Sequence, residues 1–262
     1  ILAAPLVVKG KTIGVIEVLN KAIGPFTRKD LELLEALASQ AAIAIDNATL
    51  FTDLPVSNLE LTFAYDRTLE GWARALELRD QETQGHSKRV ADLTMRLARA
   101  MGMGAEELVN MRRGTMLHDI GKMGLPDSIL LKPGPLTPEE WEVMRQHPVY
   151  AYELLSSIPF LQKAVDVPYC HHEKWDGSGY PRGLKGSEIP LAARVFALVD
   201  VYDALLSDRP YRPAWPQERV LAYLQEQSGK HFDPRVVEVF FEVVMSGRRS
   251  PDPAEEYFRD SR

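Results

Sequence analysis

Cysteine is nearly absent from this 262-residue chain: Cys170 is the only one. No intrachain disulfide can form, and a cysteine-ligated metal cluster is excluded. A reducing compartment suits such a composition, and the expected location is the cytoplasm. Cys170 itself is read as a small buried residue. A long apolar run is also missing, as is a signal peptide, so no membrane span is expected within the chain. Nor is there an excess of positive charge: 31 Lys and Arg against 37 Asp and Glu give a net charge of −6. That excludes a general nucleic-acid-coating protein, and DNA is not an expected partner. A small anionic ligand remains possible, because a metal cluster with a few Arg and Lys makes one pocket positive. No internal repeat or low-complexity tract interrupts the sequence. It begins at Ile1 rather than Met, so the natural protein is expected to extend upstream.

What the chain does have is a coherent series of histidines. Five of the six fall together in their chemistry: His86, His118, His147, His171 and His172. Asp119, Asp200 and Glu82 supply carboxylates to the same series. Neutral imidazole with carboxylate is the ligand set of Mn, Fe, Zn or Ni rather than of Mg or Ca. The candidates outnumber what one ion can use. Two or three divalent transition metal ions are therefore expected, and two-metal sites commonly cleave phosphodiesters.

Coarse patterning predicts a mainly α protein. Residues 2–8 and 12–19 read as two strands joined by a turn at Lys9-Gly10-Lys11. Thr27 is placed to cap a helix with an acidic first turn. Leu34, Ala38, Ala41, Ile45 and Ala48 then form an a/d stripe, suited to packing on the chain's own sheet or to a dimer seam. Two strands and a helix cannot build a self-sufficient core, so residues 1–52 read as the end of a larger domain. Pro55 is expected to break the helix, with Ser57 or Asn58 capping a connector helix over 53–79. From residue 80 the pattern is helical. His86 lies one turn before Val90, on the apolar face it shares with Leu93 and Leu97. Thr137-Pro138-Glu139-Glu140 is a helix start, and Pro148 closes that helix near His147. Asp233-Pro234 opens the last helix, with Val236, Val237, Phe240, Phe241 and Val244 as its buried face.

His118-Asp119 is expected at the end of a helix closed by Gly121. A carboxylate has two oxygens, so Asp119 can serve one ion and share itself with another. Lys122, three residues on, could neutralise charge on a phosphate or simply be solvated. Glu82 and His86 are one helical turn apart and can meet at one site. Adjacent imidazoles on a helix diverge by about 100°, so His171 and His172 suit two ions, or one ion and a supporting role. Asp200 and Asp203 share a helical face; one suits a metal and the other the orientation of a His or Lys. The string EKWDGSGYPRGLKG is a loop, whose glycines could let amides approach an anion and whose Trp175 or Tyr180 could stack on a base. Arg209 and Arg212 suit phosphate clamps. His231 is read as structural.

Two families resemble these strings. GVIEVLNK and PFTRKDLELLEALASQAAIAIDNA resemble the last hairpin and C-terminal helix of a GAF domain. Residues 79–245 resemble the HD-GYP domain of the HD metal-dependent phosphohydrolases, through RDQETQGHSKRV, HDIGK, RQHP, HHEKWDGSGYP, VDVYDAL, SDRPYR and HFDP in family order. The resemblance implies an all-helical HD-type catalytic domain over 80–262. It implies hydrolysis of cyclic di-GMP to pGpG, and on to GMP, in a bacterial signalling protein governed by an upstream sensor. His86, His118, Asp119, His147, His171, His172 and Asp200 match the family's metal ligands, Fe or Mn being the implied ions, and Glu82 matches the extra ligand of three-metal members. Lys122 and Asp203 match supporting polar residues, with Asp119 and Lys122 carrying the catalytic roles. Gly179, Tyr180 and Pro181 form the namesake loop. With Asp203, Arg209 and Arg212 they are the expected substrate contacts, although the family also uses Lys at the position of Arg212. Expected partners are cyclic di-GMP, a second copy of the chain through its N-terminal helices, and diguanylate cyclase domains. Two rival readings stay open: an HD phosphohydrolase acting on another nucleotide, which would lack the Gly-Tyr-Pro loop, and a non-catalytic cyclic di-GMP receptor, which would lack a ligand.

Overall fold

The computed structural model describes residues 1–80, 85–208 and 213–245, leaving aside the side chains of residues 50–59. The chain divides into two compact units, Ile1–Tyr65 and Asp66–Arg262.

In the first unit, β1 (Leu2–Val8) and β2 (Lys11–Val18) pair as an antiparallel hairpin, with an irregularity between Leu6 and Val7. Lys9 and Gly10 both take positive φ at its turn. α1 (Arg28–Asp80) starts as expected: the Thr27 amide donates to Asp30 Oδ2 at 2.7 Å, and the Asp30 amide returns to Thr27 Oγ1 at 3.4 Å. Leu34 and Ala38 pack on the hairpin beside Ala4 and Leu6, so the stripe serves the chain's own sheet. Beyond Ala38 the expected register is corrected. Ala42 continues the buried face with Ala41 partly buried beside it, while Ile45 and Ala48 are exposed. The break at Pro55 is corrected too: α1 runs unbroken through it, so no second helix begins at Ser57 or Asn58. Proline loses its own N–H from the ladder and crowds the carbonyl four residues back, together a cost of about 3 kcal/mol that a helix held by packing at other points can absorb.

The second unit is all helix and loop among the described residues, apart from one isolated bridge between Ser228 and Phe232. It contains the end of α1, followed by α2 (His86–Ala100), α3 (Ala105–Met116), a 3-10 turn at Ile120–Gly124, and α4 (Asp127–Leu130). α5 (Pro138–Met144) carries the full Thr137–Glu140 capping box, and α6 (His147–Ser156) begins at His147 itself with Pro148 in its first turn. Next come a 3-10 turn at Pro159–Ala164, α7 (Asp166–Cys170), a 3-10 turn at Gly186–Glu188, α8 (Leu191–Leu206), α9 (Gln217–Glu226) and α10 (Pro234–Met245).

Two apolar clusters flank the His118-Asp119 pair. Val90 and Leu97 of α2, Phe196, Leu198 and Val199 of α8, Leu224 of α9 and Phe240 of α10 form the larger one. Leu69 of α1, Leu117, Ile120, and Ala151 and Leu155 of α6 form the other. Leu117 and Ile120 are the chain neighbours of His118-Asp119, so burying them fixes the pair between the clusters. Among the described residues, no helix is long and apolar enough to cross a membrane.

Candidate metal centre

The ligand candidates lie at helix ends rather than along helices. His86 opens α2, and His147 opens α6. His118 and Asp119 occupy the turn between α3 and the 3-10 turn at Ile120–Gly124, while His171 and His172 follow α7. Among the described candidates, only Asp200 comes from the body of a helix, α8. Gly121 is corrected here. It does not close a helix; it sits inside the 3-10 turn, where a Cβ would lie 1.8 Å from the His147 carbonyl oxygen and 2.7 Å from the Ala151 nitrogen. The glycine lets the turn bearing Asp119 lie directly on the start of α6.

The seven residues gather in two groups. Asp119, His147, His171 and His172 each bring one ligand atom within 4.8 Å of the others, and so do His86, His118 and Asp200. Asp119 joins the groups. Its Oδ1 faces His147 Nε2 at 3.3 Å and His171 Nε2 at 3.7 Å; its Oδ2 faces His118 Nε2 at 3.2 Å. His171 and His172 do not diverge as they would along a helix. Past the end of α7 their ring centroids are 3.9 Å apart, and both join the Asp119 group.

The protein has set the ring tautomers. His118 Nδ1 is 2.9 Å from the Thr115 carbonyl, His147 Nδ1 is 2.8 Å from that of Met144, and His171 Nδ1 is 3.0 Å from that of Pro168. A carbonyl only accepts, so each Nδ1 carries the proton and each Nε2 turns a lone pair inward. His86 Nδ1 meets Asp203 Oδ2 at 2.7 Å, leaving His86 Nε2 facing Asp200 at 3.5 Å. Supporting bonds of this kind orient and strengthen imidazole ligands. The donor set therefore fits divalent transition ions.

Electrostatics reinforce the arrangement. Burial opposes ionisation of Asp119, but Lys122 and the bonded His118 and His171 hold its carboxyl well below the usual range. Lys122 Nζ lies 2.6 Å from Asp119 Oδ2 and 3.1 Å from Asp80 Oδ2. Burial also opposes ionisation of Asp203, which His86 and Arg89 nevertheless hold at about 2. His86 and Arg89 engage both Asp203 oxygens, so this residue stands behind His86 rather than in the ligand groups. Burial pushes His147 down to about 4 and drives His172 well below its ordinary value, His171 and His147 adding to the effect. Both rings are neutral near pH 7.

His147 carries an acid-stability prediction for the metal-free protein. Its imidazole ordinarily titrates at 6.5 and in the fold at about 4. Below pH 6.5 the unfolded chain takes up this proton while the folded chain does not. Stability is therefore lost as pH falls from 6.5 to 4, by about 3 kcal/mol for this group. His172 acts in the same direction. Urea unfolding of chelated protein across that range measures it; a constant midpoint would contradict the assignment of a buried neutral ring.

The loop after His172 packs on itself. Tyr180 stacks on His172 with centroids 4.7 Å apart, Arg145 lies 5.6 Å above Tyr180, and Arg194 lies over Trp175. Amides expected to face an anion are engaged internally: Gly177 donates to Lys174, Ser178 to Asp176, and Tyr180 to His172. Glu173 organises the loop, and its partners could not be read from spacing. It is 2% exposed, and its carboxylate accepts from the amides of Arg182 at 2.7 Å and Leu184 at 3.0 Å. Gly179 is required where the strand of loop passes Glu173, because a Cβ there would lie 2.3 Å from the Lys174 nitrogen. Pro181 follows in the same loop through a cis peptide. His231 lies outside both groups, stacked on Phe232, and Cys170 is buried. Glu82, Arg209 and Arg212 fall outside the described residues.

The family model described as HD domain matches residues 71–236, and that described as GAF domain matches residues 1–45. A cyclic di-GMP phosphodiesterase of Thermotoga maritima is 46% identical over 169 residues, covering 64% of this chain and 46% of the relative. A 3'3'-cGAMP-specific phosphodiesterase of Vibrio cholerae is 39% identical over 215 residues, covering 81% of this chain and 40% of the relative. The chain spans about half the length of the curated relatives it matches. In fold it is similar to the crystal structure of a cyclic GMP-AMP specific phosphodiesterase of V. cholerae, at TM-score 0.56 and 20% identity, covering 69% of this chain and 49% of that one.

Proposed function

Because this chain belongs to the HD domain family, we propose that it hydrolyses the phosphodiester bonds of cyclic di-GMP in a metal-dependent reaction, giving pGpG and then GMP. One observation carries the reading: two groups of inward-facing ligand atoms meet at the two oxygens of Asp119, with the Lys122 ammonium beside them. Divalent ions held there supply Lewis-acid polarisation and make water reactive at neutral pH. The imidazole and carboxylate donors favour Fe or Mn. The residues do the rest. Asp119 holds the two groups in register. Lys122 neutralises charge that builds on the phosphoryl oxygens. Asp203 and Arg89 keep His86 in its tautomer. Tyr180, on the His172 ring, offers a face to a base. Arg209 and Arg212 are proposed phosphate contacts. In domain terms, residues 1–52 are the GAF-like part, 53–79 the connector and 80–262 the catalytic domain.

The test is anaerobic loading with Mn or Fe(II), elemental analysis, and chromatography of the products from cyclic di-GMP and from 3'3'-cGAMP. Fully loaded protein that leaves cyclic di-GMP intact would overturn the proposal. Preference for 3'3'-cGAMP would move it to the rival substrate, which the similarity to the V. cholerae enzyme favours.

A third ion is proposed through Glu82, four residues before His86 in the sequence. Glu82→Ala is expected to lower the metal-to-protein ratio by about one while the other ions stay bound. An unchanged ratio in a fully loaded preparation would leave a two-metal site. A homodimer through α1 is also proposed. Leu34 and Ala38 are covered by the hairpin, which leaves the exposed Ile45 and Ala48 of the stripe, with Leu33 and Leu37 beside it, for the seam. Light scattering giving a monomer mass at tens of micromolar (roughly the range where such contacts hold) would count against it.

A further inference from the structure

We propose that Arg79 and Asp80, the last two residues of α1, form a latch that positions Lys122. The latch rests on the proposed function, in which Lys122 meets the phosphoryl oxygens.

The Arg79 guanidinium is spent entirely on one short segment. It donates to the carbonyls of Lys122 at 3.2 Å, Met123 at 2.9 Å and Leu125 at 2.9 Å, and to Asp127 Oδ1 at 2.9 Å. That segment begins in the 3-10 turn after Asp119 and otherwise relies on i, i+3 bonds such as Lys122 to Asp119 and Leu125 to Lys122. Such bonds have poorer geometry than those of an α-helix, and short 3-10 runs need outside support.

Asp80 is harder to explain as a helix residue. Its side chain is 2% exposed, so the carboxylate has lost most of its hydration. That penalty is offset by Lys122 Nζ at 3.1 Å. Yet Lys122 already has a carboxylate in Asp119, at 2.6 Å. Charge balance alone does not call for a second one. Two acceptors on different elements, 39 residues apart in sequence, do what one cannot: they fix where the ammonium sits. Arg79 holds the main chain of Lys122, and Asp80 holds its side-chain tip. Asp80 is thus a positioning residue acting through Lys122.

The test compares wild type, Asp80→Asn, Lys122→Ala and the double variant with cyclic di-GMP as substrate, with metal content measured in each. Asp80→Asn is expected to lower kcat by roughly 10- to 100-fold, the scale of a misplaced catalytic group, with KM and metal content little changed. Added to Lys122→Ala it should cost nothing further, an outcome that a purely structural role would not give. In parallel, hydrogen exchange across residues 122–127 is expected to speed up about tenfold in Arg79→Gln. Arg79→Lys, which keeps the charge but cannot reach four acceptors, should give most of that change. Wild-type kcat in Asp80→Asn, an equal loss with and without Lys122, or unchanged exchange in both Arg79 variants would each overturn the latch. If loaded wild type cleaves no cyclic di-GMP, the functional reading fails instead, and the exchange measurements alone decide the latch.

Discussion

Asp119→Ala is expected to abolish turnover, by on the order of 10³-fold or more, since losing a single preorganised contact to the reacting charge already costs about 10²- to 10³-fold. The reason lies in where its two oxygens point. One faces His147 and His171, the other His118 and Lys122. Removing the carboxylate separates the two ligand groups and leaves imidazoles and an ammonium with no anion between them. Elemental analysis of the loaded variant is expected to show lost metal, and a fluorescence or circular dichroism melt would show whether the fold persists. Asp119→Asn keeps one oxygen and should retain part of the metal while still losing turnover. Near wild-type hydrolysis by a fully loaded Asp119→Ala protein would refute the bridging role.

Gly121→Ala is expected to be the most damaging single-methyl change in the domain. The added Cβ would fall 1.8 Å from the His147 carbonyl oxygen and 2.7 Å from the Ala151 nitrogen. Both are main-chain atoms at the start of α6, so neither can swing aside. Overpacking of this kind costs about 3 kcal/mol or more, which lowers the melting temperature by roughly 6–12 °C for a domain of this size. The displaced element carries His147, so ion affinity should fall with stability. Gly124→Ala is the control: its Cβ meets only the Tyr150 ring, at 2.8 Å, and a side chain can rotate. Equal melting temperatures for wild type and Gly121→Ala would mean the turn is free to move away from α6.

The candidate ligands are legible in the sequence because their chemistry is written in residue type. An adjacent His-Asp and an adjacent His-His are informative wherever they fall in a fold. Their division into groups of four and three is not legible, because it depends on α7 ending before His171, which lets neighbouring rings turn the same way. Gly121 belongs to the expected turn but for a different reason: its spacing after Asp119 fits a helix end, whereas its need is set by a backbone 26 residues away. Asp80 and Glu173 are invisible to spacing for a related reason. Their partners are a lysine 42 residues on and two main-chain amides, and main-chain amides leave no trace in a sequence. Pro55 misleads because a proline's local cost says nothing of the packing on either side of it.

The carbonyl contacts at His118, His147 and His171 bear on how readily the centre fills. A free imidazole must give up rotational freedom before it can hold an ion. Here that freedom is surrendered when the helices form, since each ring is tied to the main chain three residues earlier. Ion capture then has little ordering left to do. Small modules that fold around their metal collapse when it is withdrawn. This one is built the other way round, as a finished cage that a chelator should empty and fresh Mn or Fe(II) refill with the helices still in place.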